Sequence, residues 1–385
     1  MTEETNKAIV IDSGSGFIKA GLASDECPSA FLPNLYAARD AGMGEVSHVV
    51  GSAVNQAENK DLKQIRPIRR GKLEDIDAME RIWQYTYLNQ LRLDSTEHPL
   101  LTNCYPDENK LDKENTAMVF FETFAVPGYY CMNSGLLALY GSGKTTGLVI
   151  ESGSDVTTVT PVHEGVMVPY AHCLEPIGGS DVDTLLLELL NETQPEVART
   201  LSLSSSSFLK EQLNSISLDF QLEESRYRSS ATKSNPVKLP DGTAIDCGLE
   251  ALLAAESVMN PSEAAKVLSR NPSASSRMSS ITGLSGLALE SLFKVEAHLR
   301  KDFWSNIVLA GGNTLFKGLA HRLSNDLLSA APPTAKVRIY STQERQFLSW
   351  IGGGILTSIS SFQSVWMTQA EYQEFGPSVV YRKGL

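Results

Sequence analysis

What is scarce in this sequence narrows its class before any motif is read. No run approaches the roughly 18 consecutive apolar residues that a spanning helix needs. The N-terminus, MTEETNK, is acidic and polar and lacks an apolar signal core, so a secretory leader is not expected. The five cysteines (Cys27, Cys104, Cys131, Cys173 and Cys247) are odd in number, far apart and never in a CxxC spacing. That pattern suits small free thiols in a reducing cytosol or nucleus, not a disulfide framework. The six histidines form no HxxxH or HExxH pair, so a structural zinc site is not expected. Positive charge is short too: 33 Lys and Arg stand against 45 Asp and Glu, a net charge of −12. This argues against a nucleic-acid binder working through its own basic face. The one basic stretch, Arg66-Pro67-Ile68-Arg69-Arg70-Gly71-Lys72, reads more simply as a solvated turn than as a partner site.

What is present describes a folded chain of more than one core. Apolar residues make up 42% and charged residues 20%, and 385 residues favour two lobes. Residues 8–11 are a short apolar run leading into Asp12-Ser13-Gly14-Ser15-Gly16, after which Phe17-Ile18-Lys19-Ala20-Gly21-Leu22 resumes an apolar pattern. This reads as strand, tight turn, strand. The opening recurs at Leu148-Val149-Ile150-Glu151-Ser152-Gly153-Ser154-Asp155, with five of eight positions identical and Glu151 aligned to Asp12. Two copies of one hairpin suggest an internal duplication, with a chance match of two Gly/Ser turns as the plainer reading.

The remaining chain alternates helical and strand patterns, which implies an α/β architecture. A helix is expected over 77–91, with Met79, Ile82, Trp83, Tyr87 and Leu91 on one face. Further helices are expected over 183–190 and over 208–220, the latter striped by Leu209, Leu213, Ile216 and Phe220. Such stripes are core packing by default. Residues 269–286, rich in Ser, Gly and Asn, read as a long exposed loop. Its Arg270-Asn-Pro-Ser273 and Arg277-Met-Ser279 have the composition of phosphorylation sites, though plain solvated loop is the simpler reading. Beyond it a helix over 288–300, a strand over 306–310 ending in Gly311-Gly312, and a helix over 350–362 are expected.

A Gly/Ser turn after an apolar strand offers backbone N–H groups to an anion. Gly14 and Gly16 allow close approach of a phosphate, Ser13 and Ser15 add hydroxyls, and Lys19 adds positive charge. Asp12 does not favour a bare phosphate, so it points to a hydrated divalent cation. Gly141-Ser142-Gly143-Lys144-Thr145-Thr146 looks like the end of a Walker A loop, but Ala138 stands where its first Gly belongs and the lead-in reads as a helix end. It is read instead as a connection between lobes.

The pattern Asp-x-Gly-Ser-x-x-x-Lys-x-Gly at 12–21 resembles the first phosphate loop of the superfamily of actins, sugar kinases and heat-shock chaperones. Within it the actin family resembles the rest: Asp77-Ala-Met-Glu-Arg-Ile-Trp83, His98-Pro99, Phe121-Glu122-Thr123-Phe124, Tyr140-Gly-Ser-Gly-Lys-Thr-Thr-Gly147 and Leu239-Pro240-Asp241-Gly242. The tail also matches at Trp350-Ile-Gly-Gly353, Trp366, Glu371-Tyr372, Gly376-Pro377-Ser378 and Arg382-Lys383. The resemblance implies an actin-like ATPase fold, with two lobes of four subdomains around a nucleotide cleft. Residues 1–32, 67–141 and 348–385 would form the first subdomain and 33–66 the second. Residues 142–177 and 282–347 would form the third, and 178–281 the fourth. It implies ATP or ADP with Mg2+ as ligand. The phosphate-binding residues would be Ser13, Gly14, Ser15, Gly16 and Lys19 with Gly153, Ser154, Asp155 and Val156. Lys210 and Glu211 would hold ribose and base, Gly311, Gly312, Leu315 and Phe316 would form the adenosine shelf, and Gly179 would line the same cleft. Asp12 and Glu151 would hold the cation through water.

The departures bear on activity. Ser134 aligns with actin's water-positioning Gln, and Thr158 with the His that helps polarise that water. Ser154 replaces the second loop's next carboxylate, although Asp155 sits beside it, and Gln346 aligns with a Lys that packs on adenine. Positioning and acid–base help of this kind is worth roughly 10²–10⁴ in rate, so nucleotide binding with little or no hydrolysis is expected. The segment 39–51 is shorter than actin's DNase-binding loop. The filament-plug loop aligns with 259–269, which is lengthened and followed by a polar insertion. Weak self-association follows, because a filament repeats one contact indefinitely and needs its apolar anchors. The expected role is a structural subunit of a cytoskeletal or motor-associated assembly in the cytoplasm. A dynein-linked complex, a flagellar axoneme, a filament nucleator or a nuclear chromatin remodeller would each serve as host. A polymerising ATPase and a small-molecule kinase are the alternatives.

Overall fold

A computed structural model describes residues 7–42, 45–56, 59, 61–105, 109–213, 215–229, 236–240, 242–267 and 278–383. Residues 1–6 of the expected polar N-terminus, half of the Ser-rich insertion (269–277, with Ser273 and Arg277), and Asp241 lie outside the described residues. The chain divides into two compact units. The first comprises 1–145, 164–167 and 347–385; the second comprises 146–163 and 168–346.

In the first unit the strand Ile9–Ser13 pairs antiparallel with Phe17–Leu22, which pairs antiparallel with Ala30–Pro33. On its other side Ile9–Ser13 runs parallel to Leu100–Cys104, and that strand runs parallel to Gly128–Asn133. Ile9, Ile11 and Ile18 are fully buried, as central strands covered on both faces require. Helix Ser134–Gly141 packs against helix Leu348–Ser358 with backbones almost in contact. A Cβ on Gly352 would stand 1.8 Å from the Leu137 carbonyl oxygen, so glycine is obligatory at that crossing. The Trp350 indole then donates to the Val10 carbonyl at 3.1 Å, fixing this helix on the central strand.

The second unit repeats the plan. Gly147–Ser152 pairs antiparallel with Thr157–His163, which pairs antiparallel with Cys173–Glu175. Gly147–Ser152 also runs parallel to Ile307–Ala310, and that strand to Ile339–Tyr340. The five-strand order and every strand direction match the first unit. Duplication is therefore the right reading of the two turns.

The helices differ from expectation in their bounds. The stripe over 77–91 is an α-helix over Ile76–Tyr85, capped by Asp75 on the Ala78 N–H at 2.9 Å, followed by a π-turned segment Thr86–Leu91. The helix expected over 208–220 is two helices, Leu203–Leu213 and Phe220–Arg228. The Asp219 side chain caps the second through the Leu222 N–H, and Ile216 donates its N–H to the Lys317 carbonyl instead of a helical one. The helix expected over 288–300 begins at Gly283, inside the predicted loop, and ends at Lys294, where Val295 turns extended. The basic stretch is a hairpin, Ile68–Arg69 with Lys72–Leu73, turned by Arg70 and Gly71 at positive φ. No disulfide joins the five cysteines, and only Cys27 is exposed. No described helix is long and apolar enough to cross a membrane.

An ion pair is buried in the second unit's core. Arg322 reaches Glu256 at 3.0 Å and Asp326 at 3.2 Å, and donates to the Ser217 carbonyl at 2.9 Å. Burial pushes the Glu256 carboxyl up against the opposing pull of Arg322. Arg322→Met strands this carboxylate and is expected to cost about 3–5 kcal/mol, whereas Glu256→Gln with Arg322→Met loses much less. Urea denaturation of the two variants beside the parent decides this; equal losses would show that the carboxylate does not matter.

Candidate functional site

The two turns share one construction. The Gly14 N–H donates to the Phe17 carbonyl at 3.0 Å, and the Gly153 N–H donates to the Val156 carbonyl at 2.9 Å. These bonds close each hairpin and leave the intervening residues to present their own groups. In both turns the first serine's hydroxyl oxygen accepts from a distant side chain. Trp83 Nε1 donates to Ser13 Oγ at 3.1 Å, and Asn313 Nδ2 donates to Ser152 Oγ at 2.9 Å. Asn103 adds a 2.7 Å bond from the Ser13 N–H to its Oδ1.

Past this point the copies diverge. Asp12 lies opposite Lys19 across the first hairpin, and they form a 2.8 Å ion pair in a largely buried setting. The residue matching Lys19 in the second hairpin is Thr158, which lies opposite Glu151 and is 3% exposed. Ser15 Oγ is buried with no hydrogen-bond partner. Its counterpart Ser154 Oγ is held by Ser180 Oγ at 2.7 Å. A buried hydroxyl without a partner costs about 1–3 kcal/mol, which an anion's oxygen at Ser15 would relieve.

The second unit brings most of its expected ligands together. Gly179 opens the helix Gly179–Thr193, and its N–H donates to the Gly153 carbonyl at 2.9 Å. A Cβ on Gly178 would meet the Ser154 carbonyl oxygen at 2.5 Å, so only glycine lets this helix start against the turn. Lys210 Nζ donates to the Gly179 carbonyl at 3.0 Å and pairs with Asp183 at 2.8 Å. Gly311, at φ +86, passes the turn so closely that a Cβ would stand 2.2 Å from the Ser152 carbonyl oxygen. Asn313 Oδ1 is buried without a partner, and a Cβ on Gly179 would come within 3.3 Å of it. Asp155 and Val156 are buried in the turn itself. Phe316 lines a shallow cleft with Lys210, Leu213, Val182, Leu186 and three alanines. Leu315 is half-buried, and Glu211 and Gly312 are exposed beside these groups. Arg345 donates to the Thr314 carbonyl at 3.1 Å and steadies the 311–315 turn.

In the first unit Ser134 is the first residue of helix Ser134–Gly141, is 2% exposed, and follows the capping residue Asn133. Lys144 lies beyond that helix, not after a strand, which excludes a Walker A loop there. Among the described residues no three His, Cys, Asp or Glu side chains cluster to hold a metal directly.

Sequence reasoning missed Asn34, Trp83 and Asn103 as neighbours of the first turn, Asn313 as a neighbour of the second, and Arg345 as the support of the 311–315 turn. The only sequence signal for Asn313 was its place one residue past Gly311-Gly312.

A five-strand sheet built twice, each copy carrying a Gly/Ser turn after its central strand, defines the duplicated α/β class to which actins, sugar kinases and heat-shock chaperones belong. The family model described as Actin matches residues 3–385, and the chain belongs to the actin family.

Ser15→Ala is expected to leave ligand-free stability unchanged or slightly raised, since it removes an unpaired buried hydroxyl. The same variant should lose part of any stabilisation by nucleotide. Thermal melts of parent and variant, with and without MgATP, measure both; an equal nucleotide shift in the two would remove Ser15 from the site.

Proposed function

We propose that the chain binds ATP or ADP with Mg2+, with the first unit's turn as its phosphate site, and hydrolyses it slowly, if at all. The observation that carries this is the first turn, with its hydrogen-bonded closure, its Asp12–Lys19 pair and the unpartnered buried hydroxyl of Ser15. In the second unit Lys210, Gly179 and the unpartnered Asn313 amide oxygen offer a polar corner for a nucleoside. The bound cation would neutralise phosphate charge, and Asp12 before the first turn suits a cation held through water. Lys19 would hold phosphate oxygens, and the turn N–H groups would fix their direction.

Slow turnover rests on side-chain reach. Ser134 and Thr158 are shorter than a Gln amide or an imidazole, and neither can orient a water at the distance those groups span. Binding in the absence of such help stabilises the fold instead of driving a cycle. The role that suits this is a structural subunit of a cytoskeletal or motor-associated assembly in the cytoplasm, held by protein partners.

Two measurements test the reading. MgATP at about 100 times its Kd should raise unfolding free energy by about 2.7 kcal/mol, seen as a melting shift, while purified protein releases phosphate far more slowly than actin. Steady release at an actin-like rate would sink the slow-turnover half. Under polymerising salt the protein should stay in the supernatant on centrifugation; sedimentation as long filaments would favour a polymerising ATPase instead.

A further inference from the structure

Asn34 is fully buried, follows the strand Ala30–Pro33, and touches the first turn twice. Its Nδ2 donates to the Gly14 carbonyl at 2.8 Å and its backbone N–H to the Gly16 carbonyl at 2.9 Å. The Gly14 carbonyl belongs to the same planar peptide as the Ser15 N–H, and the Gly16 carbonyl shares one with the Phe17 N–H. In a trans peptide the carbonyl and N–H point in opposite directions. Holding those two oxygens on Asn34 therefore aims the Ser15 and Phe17 N–H groups away from it. Gly14 and Gly16 have no Cβ, so their peptides rotate easily unless something holds them. Left free, either carbonyl could turn toward an anion and repel it.

The second unit supplies an internal comparison. There the carbonyl matching Gly14 is that of Gly153, and it accepts from the Gly179 N–H at 2.9 Å; the next carbonyl, of Ser154, accepts from the Ser180 N–H at 2.7 Å. Phe31 and Leu174 hold matching places in the third strands, opposite Lys19 and Thr158. So one segment leaving the same end of the third strand holds the turn in both copies. A helix N-terminus does it in the second, and one asparagine does it in the first, its side chain holding the Gly14 carbonyl and its backbone N–H the Gly16 carbonyl. Asn34 Oδ1 finds no partner, although the residue is fully buried. Packing alone does not favour a side chain that leaves a desolvated acceptor unpaired.

We propose that Asn34 is a positioning residue for phosphate recognition: it sets the direction of the first turn's N–H groups and so the affinity for polyphosphates, without touching the nucleoside. This rests on the nucleotide-binding reading above. Asn34→Ala and the milder Asn34→Ser, each made in the full chain, are titrated with MgATP, MgADP and adenosine. Both variants should weaken ATP and ADP, Asn34→Ala by about tenfold, with adenosine unchanged. Amide hydrogen exchange at Ser15 should quicken in Asn34→Ala. Equal weakening of adenosine marks a merely structural role and overturns the proposal, as does unchanged ATP affinity. Failure of both variants to fold overturns it too. If the parent binds no ATP, the nucleotide reading falls on its own, and unchanged Ser15 exchange in Asn34→Ala then overturns Asn34 as the group that sets the turn.

Discussion

The hydrogen bond that closes each Gly/Ser turn, from Gly14 to Phe17 and from Gly153 to Val156, is the constraint on which the rest depends. It fixes where each hairpin reverses, and so fixes the register of the two strands that follow. Side chains alternate faces along a strand, so a slip of one residue would move Asp12 off Lys19 and turn Ile11 and Ile18 out of the core. Because the closing bond uses the first glycine's N–H, that group is not available to a ligand. What the turn can present is set by the peptides after it, and these are held by their carbonyl oxygens. An apolar sheet thus determines a polar geometry.

The two copies keep this framework and differ in what hangs from it. In the first, the carboxylate has a cation opposite it, and Ser15 has no partner. In the second, Thr158 replaces that cation, and Ser154 and the helix starting at Gly179 fill the turn's bonding capacity from within the unit. Polar groups satisfied within the chain gain less from a ligand than unsatisfied ones, because the ligand must displace a bond before making another. The framework is duplicated, whereas the bonding capacity left for a ligand is concentrated in the first copy.

What was legible in the sequence was local. A β-branched run followed by alternating Gly and Ser gave both hairpins, since the turn chemistry and the strand pattern lie within a dozen residues. The repeat then gave the duplication. The contacts that orient the turns were not legible, because they join positions 20, 70, 90 and 161 residues apart. Asn34, Trp83, Asn103 and Asn313 look like ordinary polar or aromatic residues until the sheets bring them in. The apolar stripe over 208–220 misled for a related reason. Ile216 is buried because the chain beside it bridges Ser215 to Lys317, not because it lies on a helix face. Burial at helical spacing then mimicked a helix across a break that Asp219 marks as a cap.

Binding and turnover draw on different parts of such a site. Groups that grip phosphate and cation equally before and during reaction deepen the bound state without lowering the barrier. Only groups that act on the attacking water or the developing charge do so, and under the proposed reading Ser134 and Thr158 stand where such groups would be. Under the proposed reading, the first turn's intact chemistry and the loss of reach at these two positions act on separate free energies. Selection for a stable subunit would preserve the former, because a ligand bound to the folded state adds stability in proportion to the logarithm of its saturation. It would leave the latter unconstrained. The asymmetry between the turns is what a chain would show if it kept the ligand as a part of its fold and gave up the reaction.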